Sequence, residues 1–231
     1  MTEPEPRNAG ARITEVLRDA LLEGRWPPGE RLQPAVLAAD FAISTTIIRE
    51  TLTRLAGEGL VVTRPNRGFF VRDLSLRELG DITELRCAAE AVAVRLSLTR
   101  GDLDWESELI AAHHRLARTP RRASDDPTRI SDDWVKAHRA FHHTLIAACD
   151  CEPMTTLSAN LAVKTELYLR WAAPTPSAIV RDVEREHREL LEAAVARDVE
   201  RTTALLVAHY ETTVRVVLEA GLAPEALAER A

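Results

Sequence analysis

Of the seven histidines in the sequence, His138 and His142 stand four residues apart. On a helix that spacing puts both imidazoles on one face, a turn apart, where a pair can grip a single metal ion. His187 and His209 stand in two later stretches with helical patterning, so a bundle could gather all four rings in its core. The competing reading is plain: a histidine on an apolar helix is more often a packing or surface residue, and i,i+4 pairs arise by chance. His113, His114 and His143 have no comparable spacing and are read as surface or packing residues.

The elements that must position these rings are helical. From Ser75 onward glycine is sparse, and apolar stripes recur at 76–99, 103–117, 128–149, 153–172, 177–196 and 198–220. The pattern predicts an antiparallel helical bundle, broken at Gly101-Asp102, at the polar run Thr119 to Pro127, at Glu152-Pro153 and at Pro174-Thr175-Pro176.

The first third of the chain reads differently. Ile13, Val16, Leu17, Ala20 and Leu21 form one amphipathic helix that Gly24 ends, ahead of the turn-forming run Trp26-Pro27-Pro28-Gly29. A short stripe of Leu37, Ala38 and Phe41 is followed by Ser44, well placed to cap a third helix carrying Ile48, Leu52 and Leu55. Leu60-Val61-Val62, the turn Pro65-Asn66-Arg67-Gly68 and Phe69-Phe70-Val71 then predict a β-hairpin. Helix, turn, helix and hairpin together make a winged helix-turn-helix. Such a helix enters the major groove by its N-terminal side chains, here Ser44, Thr45, Thr46 and Arg49. Arg64, Asn66 and Arg67 on the wing suit backbone or minor-groove contacts, with Gly68 allowing close approach. The bland alternative pairs Arg49 with Glu50 or Glu58 on a solvated surface.

Composition bounds the rest. The 231 residues suit two domains, and 45% hydrophobic, 29% charged and 4% aromatic residues suit a helical protein packed through Leu, Ala and Val. The domain reading is a flexible N-terminus at 1–10, a winged helix at 11–73, a helical domain at 74–221 and a tail at 222–231. No apolar run approaches membrane-spanning length, and Met1 to Gly10 lacks the features of a signal peptide, so the expected location is cytoplasmic. Cys87, Cys149 and Cys151 form no metal-ligand or redox pattern and are read as reduced thiols. Roughly ten basic and ten acidic residues balance in the first 73 positions, which places the net charge of −6 beyond them and DNA binding, if present, within them.

Gly24-Arg25-Trp26-Pro27-Pro28-Gly29-Glu30-Arg31-Leu32, Leu37-Ala38, Ile43-Ser44, Arg49-Glu50-Thr51-Leu52, Gly59-Leu60 and Gly68-Phe69-Phe70-Val71 together resemble the winged helix of the GntR family. Three departures stand out: Thr45 where the family usually has Arg, Ile47 where Pro is frequent, and no acidic residue near Pro34 or Ala35. A changed operator half-site is the expected consequence. The later segment resembles the FCD effector domain of the FadR-like branch, whose metal pattern is Asp-x3-His followed by two separate His. Here it falls on His138, His142, His187 and His209, with His138 in place of Asp. Four neutral imidazoles leave a divalent charge uncompensated and favour zinc or nickel over magnesium or calcium. Arg86, four residues before Glu90, matches an effector-binding position; a guanidinium can hold a carboxylate through two parallel hydrogen bonds. The alternative is a helical Arg86–Glu90 ion pair contributing ~0.3–0.5 kcal/mol. The resemblance implies a homodimeric repressor of double-stranded operator DNA that binds a divalent metal and a small carboxylate. The competing classes are a metal sensor without organic effector and a His-site metalloenzyme, the latter lacking any positioned acid or base such as HExxH supplies.

Overall fold

The structure, a computed structural model, describes residues 6–219, which separate between Ser75 and Leu76 into two compact units. Sequence patterning had set that boundary two residues earlier.

In the first unit α1 (Pro6–Leu22) buries Ile13, Leu17 and Leu21, and Gly24, at φ +77, turns the chain out of it. The helix starts at Pro6, ahead of the Ala11 boundary read from the sequence. A two-residue strand β1 (Arg31–Leu32) leads to α2 (Pro34–Asp40) and α3 (Thr45–Gly57). Ser44 sits in extended conformation and its Oγ accepts the Ile47 N–H at 3.3 Å, satisfying one of the donors that a helix start leaves open. Ile48, Leu52 and Leu55 form the buried stripe of α3. The expected hairpin is β2 (Val61–Arg64) and β3 (Gly68–Val71), turned by Pro65-Asn66 with Asn66 at φ +57. It gains an edge that the pattern did not predict: β1 pairs with β3, Arg31 opposite Phe70 and Leu32 opposite Phe69, giving the sheet order β1-β3-β2. Two residues are too few for alternation to show.

The second unit is helical throughout its described elements: α4 (Leu76–Arg100), α5 (Leu103–Arg118), α6 (Asp132–Ala147), α7 (Glu152–Ala172), α8 (Pro176–Val180), α9 (Val183–Val195) and α10 (Val199–Glu219). α10 packs on α4, α7 and α9, α5 on α6 and α9, and α6 on α4 and α7. Phe141, Leu109, Leu145, Leu190 and Leu206 fill the centre, each fully buried aliphatic side chain worth about 1.5–3 kcal/mol.

Two segments differ from the sequence reading. The stretch expected to be helical from 128 starts at Asp132, because Ser131 caps Trp134 N–H and the residues before it form a bridge between Arg122 and Ile130. The stretch 177–196 is two helices, since Arg181 is extended and the Asp182 carboxylate caps the Arg185 N–H at 3.0 Å. The tail expected at 222–231 lies outside the described residues.

Candidate functional site

α6 places Trp134, His138 and His142 on one face, a turn apart each. His187 belongs to the buried stripe of α9 with Val183 and Leu190, and His209 to that of α10 with Leu206, Tyr210 and Thr213. The three helices bring all four imidazoles together: one nitrogen from each lies within 4.8 Å of the others. His142 Nε2 is 3.1 Å from His138 Nε2 and 3.2 Å from His187 Nε2. Nitrogens around a tetrahedral ion bound at ~2.0–2.1 Å stand about 3.3 Å apart, which these two separations match.

The outer partners fix which nitrogen faces inward. Glu186 Oε2 lies 2.7 Å from His209 Nδ1, and a carboxylate there calls for the Nδ1–H tautomer. Tyr210 Oη donates to Glu90 Oε2 at 2.5 Å and, its one proton committed, accepts from His142 Nδ1 at 3.2 Å. Both Nε2 atoms are thereby left with lone pairs directed at the cluster, the arrangement metal-binding histidines adopt. Burial, reinforced by the neighbouring histidines and arginines, pushes the imidazoles of His138, His142 and His187 well below their usual range. Four rings disfavoured as cations by burial, two of them with lone pairs directed inward, fit a divalent transition metal.

Negative charge stands behind the rings rather than among them. Burial acts to raise the Glu186 carboxyl, yet hydrogen bonds from His209 and Arg181 outweigh it and hold the group at about 2. Arg181, from the break between α8 and α9, reaches Glu186 Oε1 at 2.8 Å and Oε2 at 2.6 Å, His209 O at 2.8 Å and Thr213 Oγ1 at 2.9 Å. Sequence reasoning missed Arg181 and Tyr210; the one available signal was that Tyr210 follows His209 on the buried stripe of α10.

Arg86 is only 6% exposed. Its Nε donates to Glu90 Oε1 at 2.7 Å and its guanidinium lies 4.1 Å over the Tyr210 ring. Its two terminal nitrogens have no hydrogen-bond partner among the described residues. Arg86, His138 and His142 line the same cavity of about 390 Å³, between α4, α6 and α7. The helical Arg86–Glu90 ion pair read from the sequence is present, and it is buried.

In the first unit Thr45, Thr46 and Arg49 are exposed on the first turns of α3, away from its buried stripe, as is Ser44. Glu58, a candidate partner for Arg49, is held instead by Arg18 through two hydrogen bonds of 2.8 and 2.7 Å. On the wing Asn66 and Arg67 are exposed and Gly68 sits at φ +94. Arg64 is engaged: it pairs with Asp73 at 3.0 Å and lies over the Phe70 ring.

A winged helix joined to a helical domain with a buried histidine cluster defines a DNA-binding transcription regulator. Residues 9–71 match the family of bacterial regulatory proteins named gntR, and residues 81–212 match the FCD domain, so the chain belongs to the GntR family, with an FCD domain. It is 36% identical over 206 residues to the HTH-type transcriptional regulator BphR of Paraburkholderia xenovorans, covering 89% of this chain and 84% of that one. It is 28% identical over 207 residues to the HTH-type transcriptional repressor GlaR of Escherichia coli, covering 88% and 93%. The fold is shared with Escherichia coli McbR/YncC, at TM-score 0.73 and 21% identity over 91% of this chain and 97% of that one. These relatives are regulators, and the chain is a regulator and not an enzyme. No helix among the described residues is long and apolar enough to cross a membrane.

Proposed function

We propose that the protein is a cytoplasmic, homodimeric repressor whose helical unit holds a divalent transition metal, zinc or nickel, on His138, His142, His187 and His209, and senses a small carboxylate there. The observation that carries this reading is that Arg86, its terminal nitrogens without a hydrogen-bond partner among the described residues, shares one cavity with His138 and His142 of the four-histidine cluster. A bound metal would supply a Lewis-acidic position for one carboxylate oxygen, and Arg86 would hold the other. Glu90, bonded by Arg86, Ser158 and Tyr210, keeps the guanidinium oriented. Two-fold operators favour a two-fold protein, and Ser44, Thr45, Thr46, Arg49, Asn66, Arg67 and Gly68 supply the DNA-facing surface, with Arg64 adding to it on release from Asp73. Repression is supported by relatives named as repressors, GlaR among them.

The test is metal content of protein purified without a histidine tag, followed by operator titration with and without carboxylates. About one transition-metal ion per chain, lost in His142→Ala/His187→Ala, is expected. Carboxylate should then change operator affinity by about 5- to 150-fold, the range of a ~1–3 kcal/mol coupling. Operator affinity that tracks metal alone would sink the effector half of the proposal.

A further inference from the structure

The cavity beside Arg86 joins a polar group, Arg86, His138, His142 and Ser158, to apolar walls of Ile130, Trp134, Val135, Ala159, Ala162 and Leu169; Lys136, Arg139, His143, Glu166 and Arg170 also line it. We infer that the effector is a monocarboxylate with an apolar, ring-sized body, as distinct from a polyhydroxy acid or a dicarboxylate. The inference rests on the reading of Arg86 and the histidines as the carboxylate-holding end, and it concerns the remainder of the molecule.

Three observations carry it. The first is the state of the other charges on the cavity. Glu166 is held by Arg139 at 2.5 Å and by Arg170 at 3.0 Å, and Arg170 also reaches Asp132 at 2.7 Å. The two arginines and two carboxylates of that chain balance in charge, and Lys136 stands exposed with Asp133 4.0 Å away. Arg86 is thus the one buried cation on the lining, among the described residues, with donors to spare, which suits a single carboxylate. A second one would meet a cluster whose charges already cancel.

The second is the state of the hydroxyls. Ser158 already donates to Glu90 at 2.5 Å and Thr165 to Leu161 O at 2.9 Å. Hydroxyls of a sugar acid would leave water to face Ile130, Val135, Ala162 and Leu169, where none is replaced by a partner.

The third is shape. Trp134 stacks on His138 with ring centroids 4.7 Å apart and planes 17° from parallel, and Arg121 lies 5.7 Å from the Trp134 ring. These contacts hold the indole in one orientation on the lining. Ala159 and Ala162, a turn apart on α7, leave the space that larger side chains would fill.

The test is isothermal titration of the metal-loaded full chain with acetate, benzoate, cyclohexanecarboxylate, succinate and gluconate. Benzoate and cyclohexanecarboxylate are expected to bind at least ~10-fold more tightly than succinate or gluconate, as burial of a ring's apolar surface requires. Ala162→Phe, which fills the body of the cavity, should weaken benzoate by about 10-fold or more and leave acetate within about twofold. Succinate or gluconate binding as well as benzoate overturns the inference, and so does a folded Ala162→Phe protein with unchanged benzoate affinity. Should none of the five acids bind, and Arg86→Gln change nothing, the carboxylate reading of the site itself falls, and this inference with it. The wild-type ranking decides the matter even where the variant does not fold.

Discussion

Glu186 Oε2 stands 2.7 Å from His209 Nδ1, although Glu186 is on α9 beside a different candidate ligand, His187. Neighbours on a helix point about 100° apart, so Glu186 serves the ring on the facing helix. There it fixes the tautomer of His209 and adds negative charge behind an otherwise neutral ligand set. Glu186→Gln keeps the size and removes the charge. Zinc affinity, measured by competition with a chromophoric chelator, is expected to fall by roughly 10- to 100-fold. Wild-type affinity in a folded Gln variant would show that the carboxylate has no part in holding the ion.

Tyr210 joins the two halves of the site, donating to Glu90 and accepting from His142. Tyr210→Phe leaves a buried carboxylate oxygen and an imidazole N–H without their partner. The metal-free variant should lose about 1–3 kcal/mol in urea unfolding, the cost of unsatisfied buried polar groups. The metal-loaded variant should also bind zinc more weakly, which loss of ring packing alone would not produce. An unchanged unfolding midpoint would contradict the assignment of these bonds.

Much of this site was legible in the sequence for a geometric reason. An i,i+4 pair has a local consequence that tertiary structure does not alter, so His138 and His142 could be read together; Arg86 and Glu90 stood out only through the family resemblance. Whether a pair is buried depends on what packs over it, which is why the sequence left open whether Arg86 serves a pocket or only pairs with Glu90. Arg181 was hidden for another reason. Ala178, Val183 and Leu190 continue an apolar rhythm across 177–196, and that rhythm conceals the break where Arg181 leaves the helix and turns to Glu186 and His209. In the first unit the hairpin announced itself through Pro65-Asn66-Arg67-Gly68, whereas β1 became a strand only because β3 lies beside it.

A metal that binds the folded chain and not the unfolded one must stabilise it. With free zinc at ~100 times its dissociation constant the gain is about 2.7 kcal/mol. For a chain of this size each kcal/mol shifts the melting temperature by ~2–4 °C. Stripping the protein with a chelator should therefore lower the melting temperature by roughly 5–11 °C, and zinc should restore it. His142→Ala/His187→Ala should melt at the same temperature with and without chelator. A shift of equal size in that variant would mean the ion acts elsewhere.

The DNA-facing arginines should separate by the kind of loss they cause. Arg67 is exposed at the wing turn, where no ion pair holds it among the described residues, and a phosphate contact is the role its position suits. Arg67→Ala should weaken binding about equally on operator and random DNA and reduce the slope of log affinity against log salt by about 1. Arg49 projects from the early turns of α3, so Arg49→Ala should cost about 1–3 kcal/mol on the operator and much less on random sequence. Thr45→Arg installs a donor able to reach a guanine edge at the position directly after the helix cap, and should shift the preferred half-site toward guanine at one base. Fluorescence anisotropy across a salt series, on operator and scrambled duplexes, measures all three. Equal losses on both duplexes for Arg49→Ala would move that residue from base reading to backbone contact, and an unchanged salt slope for Arg67→Ala would take the wing tip off the phosphates.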